Sequence, residues 1–180
     1  MHRKWTDPIR AALLGLVILL AGAPLVKAGT VTKPGAAAVT LEELRDDPLM
    51  TPQRFVTYFR DFKFKLYAER QDPKVFLSSR CGDCDDFACL ADEILRRRNY
   101  TTRLIAIFMD GQTHVVCYVD QIRGYLDYNC RGEPSAVQYA DDRIDAVADK
   151  VAAYFRVPWR YASEFTCQDG QPRFGRIVFH

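Results

Sequence analysis

Histidine is nearly absent from this sequence, and so is any long tract of one charge or of apolar residues. There are three histidines in 180 residues, of which His2 and His180 lie at the ends. His114 is the only interior imidazole, so every histidine-dependent mechanism that does not pass through His114 is excluded. No basic tract is present: the formal net charge is +2, and once Arg3, Lys4, Arg10, Lys27 and Asp7 are set apart, the remaining 21 basic and 22 acidic residues leave −1. A near-neutral body has no electrostatic footprint for nucleic acid, which removes that partner. The longest apolar run, Ala11 to Val26, is 16 residues and contains Pro24. It falls short of the roughly 20 residues that cross a bilayer. There is no internal repeat. A hydrophobic share of 48% and a charged share of 27% fit a globular chain with room for one domain.

What is present begins with a targeting element. A basic start leads into that apolar run, and Val26-Lys27-Ala28 places small residues where a signal peptidase cuts, so residues 1–28 read as a secretory signal peptide. An uncleaved membrane anchor is the alternative. Residues 29–39 form a small, aperiodic linker, and 40–180 a single domain. Export places the product in the periplasm or outside the cell, where the six cysteines meet oxidising conditions. Cys130 and Cys167 both flank strand ends, and Cys89 falls on the polar side of a helix, so a Cys130–Cys167 bridge is expected if any forms.

Thr40 and Glu43 make a capping box for a short helix over Leu41 to Asp46, and Thr51-Pro52 starts another. Phe62 to Tyr67 is extended or irregular and ends at Asp72-Pro73. The strongest helix begins at Cys84: Phe87, Ala88, Leu90, Ala91, Ile94 and Leu95 recur at the 3.6-residue period, and Arg96 to Arg98 crowd its last turn. Leu104 to Met109, His114 to Val119 and Tyr125 to Asn129 follow as an antiparallel meander, the first two strands apolar on both faces and therefore covered on both. Asp141 caps a further helix through Phe155. Glu164 to Cys167 and Phe174 to Phe179 form a hairpin around Asp169-Gly170. The fold class is α+β, with a helix packed on an antiparallel sheet.

Cys84 sits at a helix N-terminus, where unpaired N–H groups and the macrodipole favour a thiolate. Helix packed on meander brings it to His114, and an acid or amide from the third strand, Asp127 or Asn129, can orient the imidazole. Gly82-Asp83-Cys84-Asp85-Asp86-Phe87-Ala88 resembles the G-D-C-x-D-[FY]-A nucleophile motif of the transglutaminase-like superfamily, closest to its bacterial transglutaminase-like cysteine proteinases. His114 and Asp127 match the second and third motifs in order, and the resemblance spans roughly Phe76 to Asn129. It implies a papain-like core with Cys84 as nucleophile, His114 as base and Asp127 as orienter, acting on a protein or peptide as a cysteine-dependent amide hydrolase without a cofactor. Val116 stands where many transglutaminases have Trp, which removes a wall against water and favours hydrolysis over amine transfer. Some secreted relatives bind calcium beside the nucleophile, so Asp85 and Asp86 are alternative ligands, against the simpler role of N-terminal helix acids. Three other readings use the same residues: a thiol oxidoreductase through Cys81 and Cys84, a zinc site through Cys81, Cys84, His114 and Cys117, and an inactive interaction module. The zinc set fails because His114 and Cys117, three apart in a strand, point to opposite faces.

Overall fold

The computed structural model describes residues 39–133, 137–168 and 171–180. The signal peptide expected over 1–28, the linker but for its last residue, and the Asp169-Gly170 turn lie outside them. Among the described residues no helix is long and apolar enough to cross a membrane.

The chain runs through α1 (Leu41–Asp46), α2 (Pro52–Thr57), β1 (Lys63–Phe64), α3 (Pro73–Ser79), β2 (Cys81–Gly82), α4 (Cys84–Arg96), β3 (Thr102–Met109), β4 (Gln112–Val119), β5 (Gly124–Leu126), β6 (Val137–Tyr139), α5 (Ile144–Phe155), β7 (Trp159–Gln168) and β8 (Gln171–Phe179). Six strands form one antiparallel sheet in the order β6-β5-β4-β3-β7-β8, and β1 and β2 make a small parallel pair. The class is α+β, as expected. The capping box of Thr40 and Glu43 and the cap of Thr51 before Pro52 are both formed.

Alternate residues of the central strands serve two cores. Leu104, Ala106, Val115 and Cys117 face α4, where Phe87, Leu90 and Ile94 meet Phe55 of α2, Phe59 of the turn after it and Phe76 of α3. Ile105, Ile107, Val116 and Tyr118 face Ile144, Val147, Ala148 and Val151 of α5. Both faces of β3 and β4 are thus covered, which is why their sequences are apolar throughout. Each fully buried side chain of this kind contributes about 1.5–3 kcal/mol.

Four expectations need correction. Asp72-Pro73 is a beginning rather than an end: Asp72 caps α3, accepting from Lys74 N at 2.8 Å, with Pro73 in the first turn. The third meander strand stops at Leu126, because Asp127 turns away to cap a 3-10 turn over Tyr128–Cys130. Asp141 does not cap α5, which starts after Arg143 without a side-chain cap; Ala140 N is held by Arg123 O at 3.1 Å, keeping the chain extended up to that point. The disulfide joins Cys89 to Cys167, tying α4 to β7, while Cys130 is a free, buried thiol. Cys89 is buried because β7 widens the sheet past the apolar stripe that the helix alone displays.

Candidate active site

The start of α4 is built by close packing and by three carboxylates. Gly82 lies against the Phe76 ring and the Asp86 carboxylate; a Cβ there would come within 2.5 Å of the ring and 2.6 Å of Asp86 Oδ2. Only glycine lets the chain pass. Asp86 is buried and accepts from Asp83 N at 3.2 Å, from Gln71 N at 2.6 Å and from Gln71 Nε2 at 2.7 Å. Asp83, also buried, accepts from Tyr67 N at 3.0 Å. The two acids therefore lace residues 67–71 onto the helix end that presents Cys84. The sequence gives no sign of Gln71 beyond its place just before the Asp72-Pro73 start.

His114 stands on the half of β4 that β5 does not reach, since that pairing covers only Cys117 to Val119. The space beside it is taken by the turn after β5 and by the start of α4. There the imidazole, 4% exposed, places Nε2 at 2.9 Å from Asp127 Oδ1, and its ring packs edge-on against Phe155 with centroids 4.9 Å apart. Nδ1 is the ring nitrogen left for Cys84, which lines the same cleft and acts on the charge of the ring. Burial opposes charge on the ring, but the Asp127 carboxylate, and then Cys84, outweigh it and push the His114 pKa up to about 10. The Asp127 carboxylate is fixed by Asn129 N, which donates to Oδ1 at 2.8 Å. Of the two orienters the sequence left open, Asp127 is the one on the imidazole; Asn129 holds it through its backbone and shows its side chain to the cleft.

That cleft, about 690 Å³, is lined by Cys84, His114 and Asn129 and walled by Phe64, Leu66, Phe108, Phe155 and Tyr161. Val116 is no part of it. Fully buried under α5, Val116 bears on core packing and not on water access, so the argument for hydrolysis drawn from the missing Trp falls.

Asp83, Asp85 and Asp86 each bring a carboxylate oxygen within 4.8 Å of the others. Asp83 Oδ1 and Asp85 Oδ1 are buried without a partner. Burial, then the hydrogen bond and charge of Asp83 and the charge of Asp86, push the Asp85 pKa up to about 8. Such crowding exceeds what a helix dipole calls for, and an oxygen-only donor set is the kind a hard divalent cation takes. Cys81 and Cys84 are both free thiols, and Cys117 faces the α4 core. Burial pushes the Cys117 thiol up and the Cys130 thiol up to about 12.

No family model matches the chain, and no curated protein matches it. Among solved structures, one described as a putative cysteine protease from Cytophaga hutchinsonii is 14% identical, with 72% of this chain and 43% of that one covered and a TM-score of 0.36. Likeness of that order leaves family and activity to be argued from the site itself.

Proposed function

We propose that this protein is an exported cysteine-dependent amide hydrolase of the transglutaminase-like, papain-like kind, acting on a protein or peptide through Cys84, His114 and Asp127. The observation that carries the reading is the single interior imidazole held between a helix-start thiol and a buried carboxylate. Cys84 Sγ, its proton held by His114, attacks the amide carbonyl and forms a tetrahedral oxyanion. The Cys84 backbone N–H, among the unpaired donors of the first helical turn, faces that charge. The C–N bond breaks as His114 gives its proton to the leaving amine, leaving a thioester on Cys84. His114 then takes a proton from water, whose oxygen attacks the thioester and releases the acid. Asp127 keeps the ring in the orientation both transfers need.

The open cleft, with Phe64 and Leu66 largely exposed at its mouth, admits water freely and supports hydrolysis over transfer to an amine. Where calcium binds, Asp83, Asp85 and Asp86 would hold it and neutralise their crowded charges beside the nucleophile. Calcium added to chelator-treated protein should then raise the thermal midpoint, and Asp85→Asn should remove the rise. Peptide-library digestion followed by mass spectrometry tests the main reading: cleavage by the native chain should vanish in Cys84→Ala. Incorporation of a fluorescent primary amine into casein, lost in Cys84→Ala, would turn the assignment to a transglutaminase; no turnover of either kind would turn it to an inactive module. A Cys81–Cys84 disulfide as the main species would favour the oxidoreductase.

A further inference from the structure

A second cavity, of about 220 Å³, lies at the opposite end of α4, where Arg96, Arg103, Arg173 and Arg176 converge with Glu164. Arg96 is twelve residues along the helix from Cys84, about 18 Å at 1.5 Å per residue. Two of the four guanidiniums are engaged. Arg96 donates to Asp92 Oδ1 at 2.7 Å and to the Thr102 carbonyl at 2.6 Å; Arg103 donates to Asp120 Oδ1 at 3.1 Å and to Glu164 Oε1 at 3.0 Å, and lies over the Tyr118 ring. Among the described residues the exposed side chains of the other two, Arg173 and Arg176, have no hydrogen bond or ion pair.

Residues three apart in a strand face opposite ways, so Arg173 and Arg176 should not share a face. A bulge changes that. β7 advances two residues from Ser163 to Phe165 while β8 covers three, from Ile177 back to Phe174, so Glu164 opposes both Gly175 and Arg176. The extra residue turns Arg176 to the side on which Arg173, Glu164 and Arg103 stand. Bulges of this kind re-aim side chains and are concentrated beside functional sites.

We propose that this cavity binds a phosphate-class dianion, recognised by the two unpartnered guanidiniums that the bulge brings together. Each guanidinium is a planar fork that takes two oxygens, and one carboxylate satisfies one fork. A tetrahedral dianion offers an oxygen pair to each and neutralises both charges. Glu164 and Asp120 do not compete, because Arg103 holds them.

Calorimetric titration of inorganic phosphate into the full chain, against chloride at equal ionic strength, should give saturable one-to-one binding. The R173Q/R176Q double variant should bind at least tenfold more weakly while Cys84 alkylation stays unchanged, and Arg97→Gln, an exposed arginine outside the cavity, should bind as the native chain does. Absence of saturable binding, or equal affinity in the double variant, overturns the proposal. Vesicles of phosphatidic acid distinguish the source of the group: recruitment lost in the double variant assigns a lipid headgroup, and phosphate binding without recruitment assigns a soluble phosphate ester.

Discussion

The two ends of α4 obey one electrostatic rule and differ in everything else. Acids crowd its first turn and arginines its last, as the helix dipole favours at each pole. At the last turn Arg96 and Arg97 stand largely in water: Arg96 reaches Asp92 one turn back and the Thr102 carbonyl beyond the helix, and Arg97 lies 4.0 Å from Glu93. At the first turn Asp83 and Asp86 are buried, bonded to residues 67–71, and crowded enough to raise Asp85. Charge placed only for the dipole stays in water. Charge taken out of water is there to hold other parts of the chain in place, and here those parts surround a thiol.

The comparison is broken most severely by removing the chemistry from the first turn. Cys84→Ala should leave no measurable peptide cleavage, His114→Ala should lower it about 10³-fold or more, and Asp127→Ala about 10²- to 10⁴-fold, read as kcat/KM on one cleaved peptide. Arg96→Gln at the other pole should leave it unchanged, and a comparable loss there would end the contrast. Next in size is the bridge that fixes the helix to the sheet. Opening Cys89–Cys167, which closes a 78-residue separation, should cost about 2–4 kcal/mol in urea unfolding through the entropy of the unfolded chain. A sharper contrast sets one pole against the other. Asp86→Ala leaves Gln71 and Asp83 donors buried and unpaired and should cost about 2–3 kcal/mol. Arg97→Ala, which loses an exposed pair, should cost about 0.5 kcal/mol. Equal costs would mean that the buried acids do no more than the exposed pairs.

A change of pH reads the same site without a mutation. His114 is raised above its unfolded value of about 6.5, so its contribution to stability is fully present below that pH and is lost as pH rises through about 10. Unfolding free energy should fall by about 1 kcal/mol per pH unit between 7 and 9. In His114→Gln the slope should become shallower by that amount, leaving below about pH 8 the fall that Asp85 contributes; a native slope of the opposite sign would show the ring to be neutral in the folded protein.

Much of the site was legible because its residues announce themselves locally. The cysteine at a helix start follows from periodicity, His114 from the scarcity of its kind, and the two-sided burial of β3 and β4 from unbroken apolar runs. What could not be read depends on partners distant in the chain. Cys89 looked polar-sided because the helical wheel is blind to β7. Asp127 left its strand because its carboxylate is held by its own turn and by His114, which no alternation pattern encodes. The start of α3 does have a local signal, since Asp72 is a good cap and Pro73 a good first residue, although the same dipeptide also ends extended segments. The bulge in β8 shows only in the pairing register.

The stretch from Phe62 to the start of α3 is bonded in two directions. Its later residues hang from Asp83 and Asp86, while Lys63 O accepts from Tyr128 Oη at 3.0 Å and Phe62 O from Arg131 Nε at 3.1 Å. The second pair of bonds spans 65 and 69 positions, and contacts so remote close late in folding. During refolding, the native rate of Cys84 alkylation should appear only in the phase that buries Tyr128; reaching it before that phase would show the thiol to be independent of the strap. The chain thus carries its cysteine well ahead of the turn that orients the imidazole, and the thiol stays unarmed until residues 127–131 have folded back onto Phe62 and Lys63.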